Sequence, residues 1–140
     1  DYDRVMDAGA SSKNIYFIRY ADLILLYAEC LLAENDLAGA KQQVIRVRNR
    51  AKVSTPITAS NNTEMLDFIY EERMRELGME GWRRMDLIRR GADYFAAQVD
   101  KYNPFAKGNV QPYHAFYPIP TNEINMNDGI GAEDQNEGYK

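Results

Sequence analysis

Cysteine, histidine and tryptophan each occur once in this chain, as Cys30, His114 and Trp82. A lone cysteine excludes an internal disulfide, and one Cys with one His leaves no ligand cluster of the zinc-finger kind. A surplus of positive charge is also missing: 17 Lys and Arg stand against 21 Asp and Glu, a net charge of −4. Nucleic-acid binding usually rests on such a surplus, so no nucleic-acid partner is expected. The chain has no Walker loop, no Gly-x-Gly-x-x-Gly and no Gly-x-Ser-x-Gly, the motifs that cradle phosphates or carry a serine nucleophile. Its most apolar window, Ile15 to Ala33, is broken by Arg19, Asp22 and Glu29, whereas a membrane-spanning helix needs about 20 apolar residues with few charges. The opening Asp1-Tyr2-Asp3 has no initiator Met and no signal-peptide pattern, as expected of a mature product or of a piece of something longer.

What is present is 140 residues, 45% of them apolar and 27% charged, the composition of one folded unit with a core of its own. Residues 1–18 read as a leading loop, with an extended stretch at Ile15 to Ile18. Residues 19–51 read as a helix hairpin. The Leu- and Ala-rich run from Arg19 to Ala33 is apolar around most of its circumference, which marks a helix covered on most faces. Asn35-Asp36 turns the chain, and Leu37, Ala40, Val44, Val47 and Ala51 then recur at steps of three and four, the spacing of an amphipathic helix. Cys30 reads as a small core residue of the first helix.

Residues 63–102 carry further helices: one from Thr63 with Leu66, Ile69, Tyr70, Met74 and Leu77 as its buried side, one from Trp82 to Arg90, and one from Ala92 to Tyr102. Gly78 is placed for a left-handed C-cap. Residues 103–140 read as an irregular tail, extended at Phe116 to Pro120 because each proline fixes its own φ and biases its predecessor. The fold class is therefore all-α. Ala28 and Ala40 are small residues placed where a tetratricopeptide-like hairpin closes. A second copy of the ~34-residue period is lacking, which leaves open a generic hairpin or one unit of a longer helical-repeat face.

Candidate chemistry is sparse. Glu72 and Glu76, at i and i+4, could act as paired carboxylates in acid–base or metal chemistry. Against this, no Glu-x-x-His element accompanies them, and nine of the eleven arginines fall between Arg46 and Arg90, placed to neutralise both carboxylates in ion-pair networks. His114, between Tyr113 and Phe116 in a loop, is a base, a ligand or a structural turn residue. Trp82, Tyr94, Tyr102, Tyr113 and Tyr117 offer faces on which a sugar ring can stack, but packing in the core is the better reading of them. No residue is assigned to catalysis or to a metal, and no cofactor is expected.

Several ordered motifs carry a resemblance to a known family. Arg19-Tyr-Ala-Asp-Leu-Ile-Leu-Leu-Tyr-Ala-Glu29 is followed by Ala40 through Val47-Arg48-Asn49-Arg50-Ala51. Next comes Glu72-Arg73-x-x-Glu76-Leu77-x-x-Glu80-Gly81-x-Arg83-x-x-Asp86-Leu87, with Arg89 or Arg90 as its closing arginine. Tyr117-Pro-Ile-Pro-x-x-Glu123-Ile and Gln135-Asn136-x-Gly138-Tyr139 end the series. In this order the motifs resemble the C-terminal part of the SusD/RagB family of outer-membrane nutrient-binding lipoproteins. Asn127-Asp128 departs from the family's Asn-Pro, Glu137 replaces a proline, and a full member has several hundred residues and an N-terminal lipid-bearing cysteine.

The resemblance implies a non-enzymatic, cell-surface protein of the outer membrane, built around tetratricopeptide-like pairs. Such proteins bind oligosaccharides or other nutrients and sit as a lid on a TonB-dependent SusC-like transporter. Their glycan contacts come mostly from regions upstream of the segment matched here, so no ligand-binding residue is carried over. The alternative is a free-standing helical-repeat module that binds a protein and no sugar. A third reading, an enzyme using Glu72, Glu76 or His114, has no visible nucleophile or metal partner. With so much apolar surface on its first helix, the segment is expected to expose an apolar face over Leu23 to Leu32.

Overall fold

The computed structural model describes residues 16–140, and among them no strand occurs. The leading loop over residues 1–14 lies outside the described residues, as does Ile15. From Tyr16 to Ile18 the chain bends instead of running extended. Two compact units follow, divided between Glu76 and Leu77.

The first unit holds α1 (Tyr20–Ala33), α2 (Leu37–Arg50) and α3 (Asn62–Glu76). Asn35 makes the α1–α2 turn at φ 62°, a left-handed position that Asn tolerates better than most side chains. Asp36 then caps α2 by accepting the Gly39 N–H at 2.8 Å, which satisfies one of the donors left open in a first turn. Ala28 and Ala40 are both wholly buried, and with only a methyl on each side the α1 and α2 backbones approach closely. Leu25, Val44, Met65 and Ile69 fill the space where the three helices meet. Each contributes about 1.5–3 kcal/mol of burial.

The buried side of α3 is shifted from the one its sequence suggests. Ile69 and Tyr70 are buried as expected, but Met65, Glu72 and Arg73 join them, while Leu66 and Met74 are only half-buried. The exchange has an electrostatic cause: Glu72 and Arg73 find charged partners inside, so two polar positions turn inward. Ahead of the helix, Asn61 Oδ1 accepts the Glu64 N–H at 2.9 Å, and the Glu64 carboxylate accepts the Ser60 N–H and hydroxyl at 2.7 and 2.8 Å. Asn61 thus caps the helix, and Glu64 reaches past it to Ser60.

The second unit, Leu77–Lys140, contains α4 (Arg83–Arg89), α5 (Ala92–Tyr102) and α6 (Thr121–Met126), with 3-10 turns at Pro112–Ala115 and Ala132–Asp134. Gly78 does not take the left-handed conformation. The turn closes later, with the Glu80 N–H donating to Leu77 O, and Met79 adopts φ 68° with its side chain in solvent. Gly91, at φ 105°, divides α4 from α5 as expected. Leu87, Phe95 and Ala115 form a small core, with Ile88, Tyr94, Val99 and Val110 packed against it.

The tail is held by side chains that bond backbone. Gln135 accepts the Ile119 N–H at 2.7 Å and donates to Ile119 O at 3.0 Å; Asn136 donates to Tyr117 O at 2.7 Å, and the Tyr139 hydroxyl to Phe116 O at 3.1 Å. The two closing motifs of the sequence are thus one structure. Gly138 sits at φ 86°, and a Cβ there would run into the Tyr113 ring.

Gly138→Ala is expected to destabilise the protein by about 1–3 kcal/mol, from the left-handed backbone and the Tyr113 contact together; thermal unfolding of the variant measures it. The Ser60 backbone and hydroxyl hydrogen bonds, in that order, hold the Glu64 carboxyl below its ordinary pKa. A carboxyl depressed in the folded state adds stability above its unfolded pKa and loses it as pH falls through the folded value. Melting temperatures of wild type and Glu64→Gln should therefore differ at neutral pH and converge in acid; a constant gap would contradict the cap.

Candidate interaction surface

The conspicuous charges of the sequence pair with one another inside the first unit. Arg73 lies 2.7 Å from Asp22, a contact of charges without the alignment of a hydrogen bond, and both side chains are buried. Arg48 donates to Glu72 at 2.9 Å and to Thr55 O at 2.7 Å, and Arg75 closes on the same carboxylate at 2.8 Å. Glu76 accepts from Arg19 at 2.8 Å and from Arg50 at 2.7 Å, while Arg19 also donates to Glu76 O at 2.6 Å. Each of the two glutamates is held by two guanidinium groups. Such carboxylates are fixed in direction, with their oxygens turned to guanidinium groups rather than to a substrate or a metal. Among the described residues no group of His, Cys, Asp and Glu is placed to hold a metal.

His114 Nδ1 accepts the Gln111 N–H at 2.9 Å, and its ring lies 4.1 Å from that of Tyr113 and 6.0 Å from that of Tyr139. That is a turn-closing role. The aromatic set corrects its core assignment: Trp82, Tyr94 and Tyr113 are half-buried, and Tyr102 and Tyr117 are exposed. Cations cover the faces of three of them. Arg84 stands 4.2 Å over Tyr117, Arg90 3.9 Å over Tyr94 and Lys101 4.7 Å over Tyr102, contacts favoured by the negative face of the ring. Arg84 also donates to His114 O and Ala115 O at 3.1 and 3.0 Å. Its part in pinning the 3-10 turn was not legible beyond the Arg83-Arg84 pair.

Cys30 is a second correction, since it is exposed. Residues 21, 25, 28 and 32 turn toward α2 and α3, and position 30 falls on the opposite side with Leu23 and Tyr27. Those residues and Tyr20 make a stripe along α1, with Tyr20 63%, Leu23 50% and Tyr27 54% exposed. Tyr16, Phe17 and Ile18 extend the apolar surface just ahead of the helix. Of the apolar face anticipated over Leu23 to Leu32, Leu23 and Tyr27 are exposed, whereas Leu25 and Leu32 are buried. No helix among the described residues is long and apolar enough to cross a membrane.

The motif residues thus serve two ends: paired charges and tail locks that build the fold, and a helix face left for contact. The model of the SusD family matches residues 1–139. The chain belongs to the SusD family. A SusD-like protein of Formosa agariphila is 34% identical over 134 residues, covering 92% of this chain and 25% of that protein. The starch-binding protein SusD of Bacteroides thetaiotaomicron is 32% identical over 142 aligned positions, 97% of this chain and 23% of its own length. The chain therefore spans about a quarter of the length of these SusD-family relatives. No solved structure matches it.

Breaking a buried pair leaves one charge without compensation, so Arg73→Met is expected to cost about 3–5 kcal/mol. Chemical denaturation measures this, and a double variant with Asp22→Leu should regain part of the loss.

Proposed function

We propose that this chain is part of a cell-surface glycan- or nutrient-binding lipoprotein of the outer membrane that works with a TonB-dependent SusC-like transporter. Within that protein the segment is mainly scaffold and transporter-facing surface, and the oligosaccharide or other nutrient is bound mostly through regions outside it. The observation that carries the reading is the family match over residues 1–139. The name of the Bacteroides relative, a starch-binding protein, supports the glycan class. The exposed stripe of α1 supports a contact role, since apolar surface of this kind is stabilised by being covered. The segment performs no catalysis in this reading; Glu72 and Glu76, its best-placed carboxylates, are committed to arginines.

The test is affinity purification of the native gene product from outer membranes of its own host. Recovery of a TonB-dependent transporter is expected, and Leu23→Glu with Tyr27→Glu should reduce that recovery about tenfold or more by placing charges in an apolar contact. Recovery of no outer-membrane protein would overturn the reading in favour of a free-standing helical-repeat module.

A further inference from the structure

Arg19 and Tyr20 open α1, and Arg46 and Arg50 lie in the last turns of α2. Between these ends is an open cleft of about 390 Å³, with Ala21, Ile24 and Val47 as its floor. α2 contains Lys41, Arg46, Arg48 and Arg50 and not one carboxylate. Glu72 takes Arg48 and Glu76 takes Arg50. Of the other two, Arg46 lines the cleft and Lys41 does not, and among the described residues no carboxylate pairs with Arg46. Its guanidinium donates to the Tyr20 hydroxyl at 3.1 Å and stands 5.1 Å from the centre of the Tyr20 ring. A cation is thus held beside an apolar floor by a neutral neighbour, and little freedom is left for it to lose when an anion arrives.

We infer that the α1–α2 cleft is a docking site for an acidic protein segment, which places one aliphatic or aromatic side chain on the Ile24–Val47 floor and a neighbouring carboxylate on Arg46. Charge complementarity selects this occupant. An apolar ligand alone would leave Arg46 without a partner, and an anion alone would leave the floor uncovered; a peptide carrying both uses each. The Tyr20 hydroxyl takes one Nη2 donor of Arg46 and leaves the other guanidinium donors for a carboxylate. Arg50, two-thirds exposed although paired with Glu76, adds positive potential on the same side. The inference holds whether or not the chain serves a transporter, because it rests on the cleft alone.

A random peptide library displayed on phage and selected on the native gene product that carries this chain tests it, with its Arg46→Glu variant as the counter-selected bait. Arg46 lies on the surface, and the variant's circular dichroism and melting temperature should match wild type. Enriched peptides are expected to carry an apolar residue within two positions of Asp or Glu and to shift the Tyr20, Ile24 and Val47 resonances of labelled protein. Their affinity should fall about tenfold with Arg46→Glu, less with Arg46→Lys, and several-fold between about 0.05 and 0.5 M salt. Enrichment of basic or uncharged sequences, no enrichment, or equal binding to the Arg46→Glu variant would overturn the inference. Self-association of the chain that fills the cleft, seen by sedimentation with Tyr20 shifts in the absence of peptide, would overturn it as well.

Discussion

The buried pairing of Asp22 with Arg73, and of Glu72 with Arg48, is the constraint on which the first unit depends. Removing a charge from water costs several kcal/mol even after relaxation, and a close opposite charge offsets part of that loss. α1, α2 and α3 each supply members of these pairs, so the helices share one arrangement in which every charge is answered. Sliding one helix by a residue would leave a guanidinium or a carboxylate alone in the interior. The apolar core of Leu25, Val44, Met65 and Ile69 draws the helices together without direction; the ion pairs fix which face meets which. Ala28 and Ala40 permit the close approach that brings those charges within reach.

The second unit uses another solution to a related problem. Its small core around Leu87, Phe95 and Ala115 cannot organise a tail that runs through Pro118 and Pro120, where the prolines also remove backbone donors. Gln135, Asn136 and Tyr139 take over the pairing that a neighbouring strand would provide. Arg84 does the same for the turn ending at Ala115, bonding two carbonyls while its flat face lies on Tyr117 and faces Phe95. Side-chain amides and a guanidinium thus stand in for regular secondary structure.

Much of this was legible in the sequence, for local reasons. Helices α1 to α5 were placed to within a residue or so because their apolar periods and their Asn, Asp and Gly boundaries agree. The pairing of Glu72 and Glu76 with arginines followed from the density of both charges in one segment. Burial was harder to read. Cys30 was placed inside because α1 is apolar nearly all round, and composition cannot say which side of such a helix meets its neighbours. The same ambiguity misplaced part of the inner face of α3, where a salt bridge outcompeted Leu66 and Met74. A ring covered by a cation and a ring covered by leucine have the same sequence signature, so the core reading fails for Tyr94, Tyr102 and Tyr117. Helix α6 falls in the stretch that reads as tail, its six residues being too few to show a period.

The position of Cys30 has a practical meaning. As the chain's one thiol, standing among Leu23 and Tyr27 on the uncovered side of α1, it is a natural attachment point for a fluorophore or spin label. A label placed there by ordinary maleimide chemistry would report solvent polarity and local mobility on that face with no engineered substitution. The thiol that composition alone places in the core is the one that lets an observer watch this face.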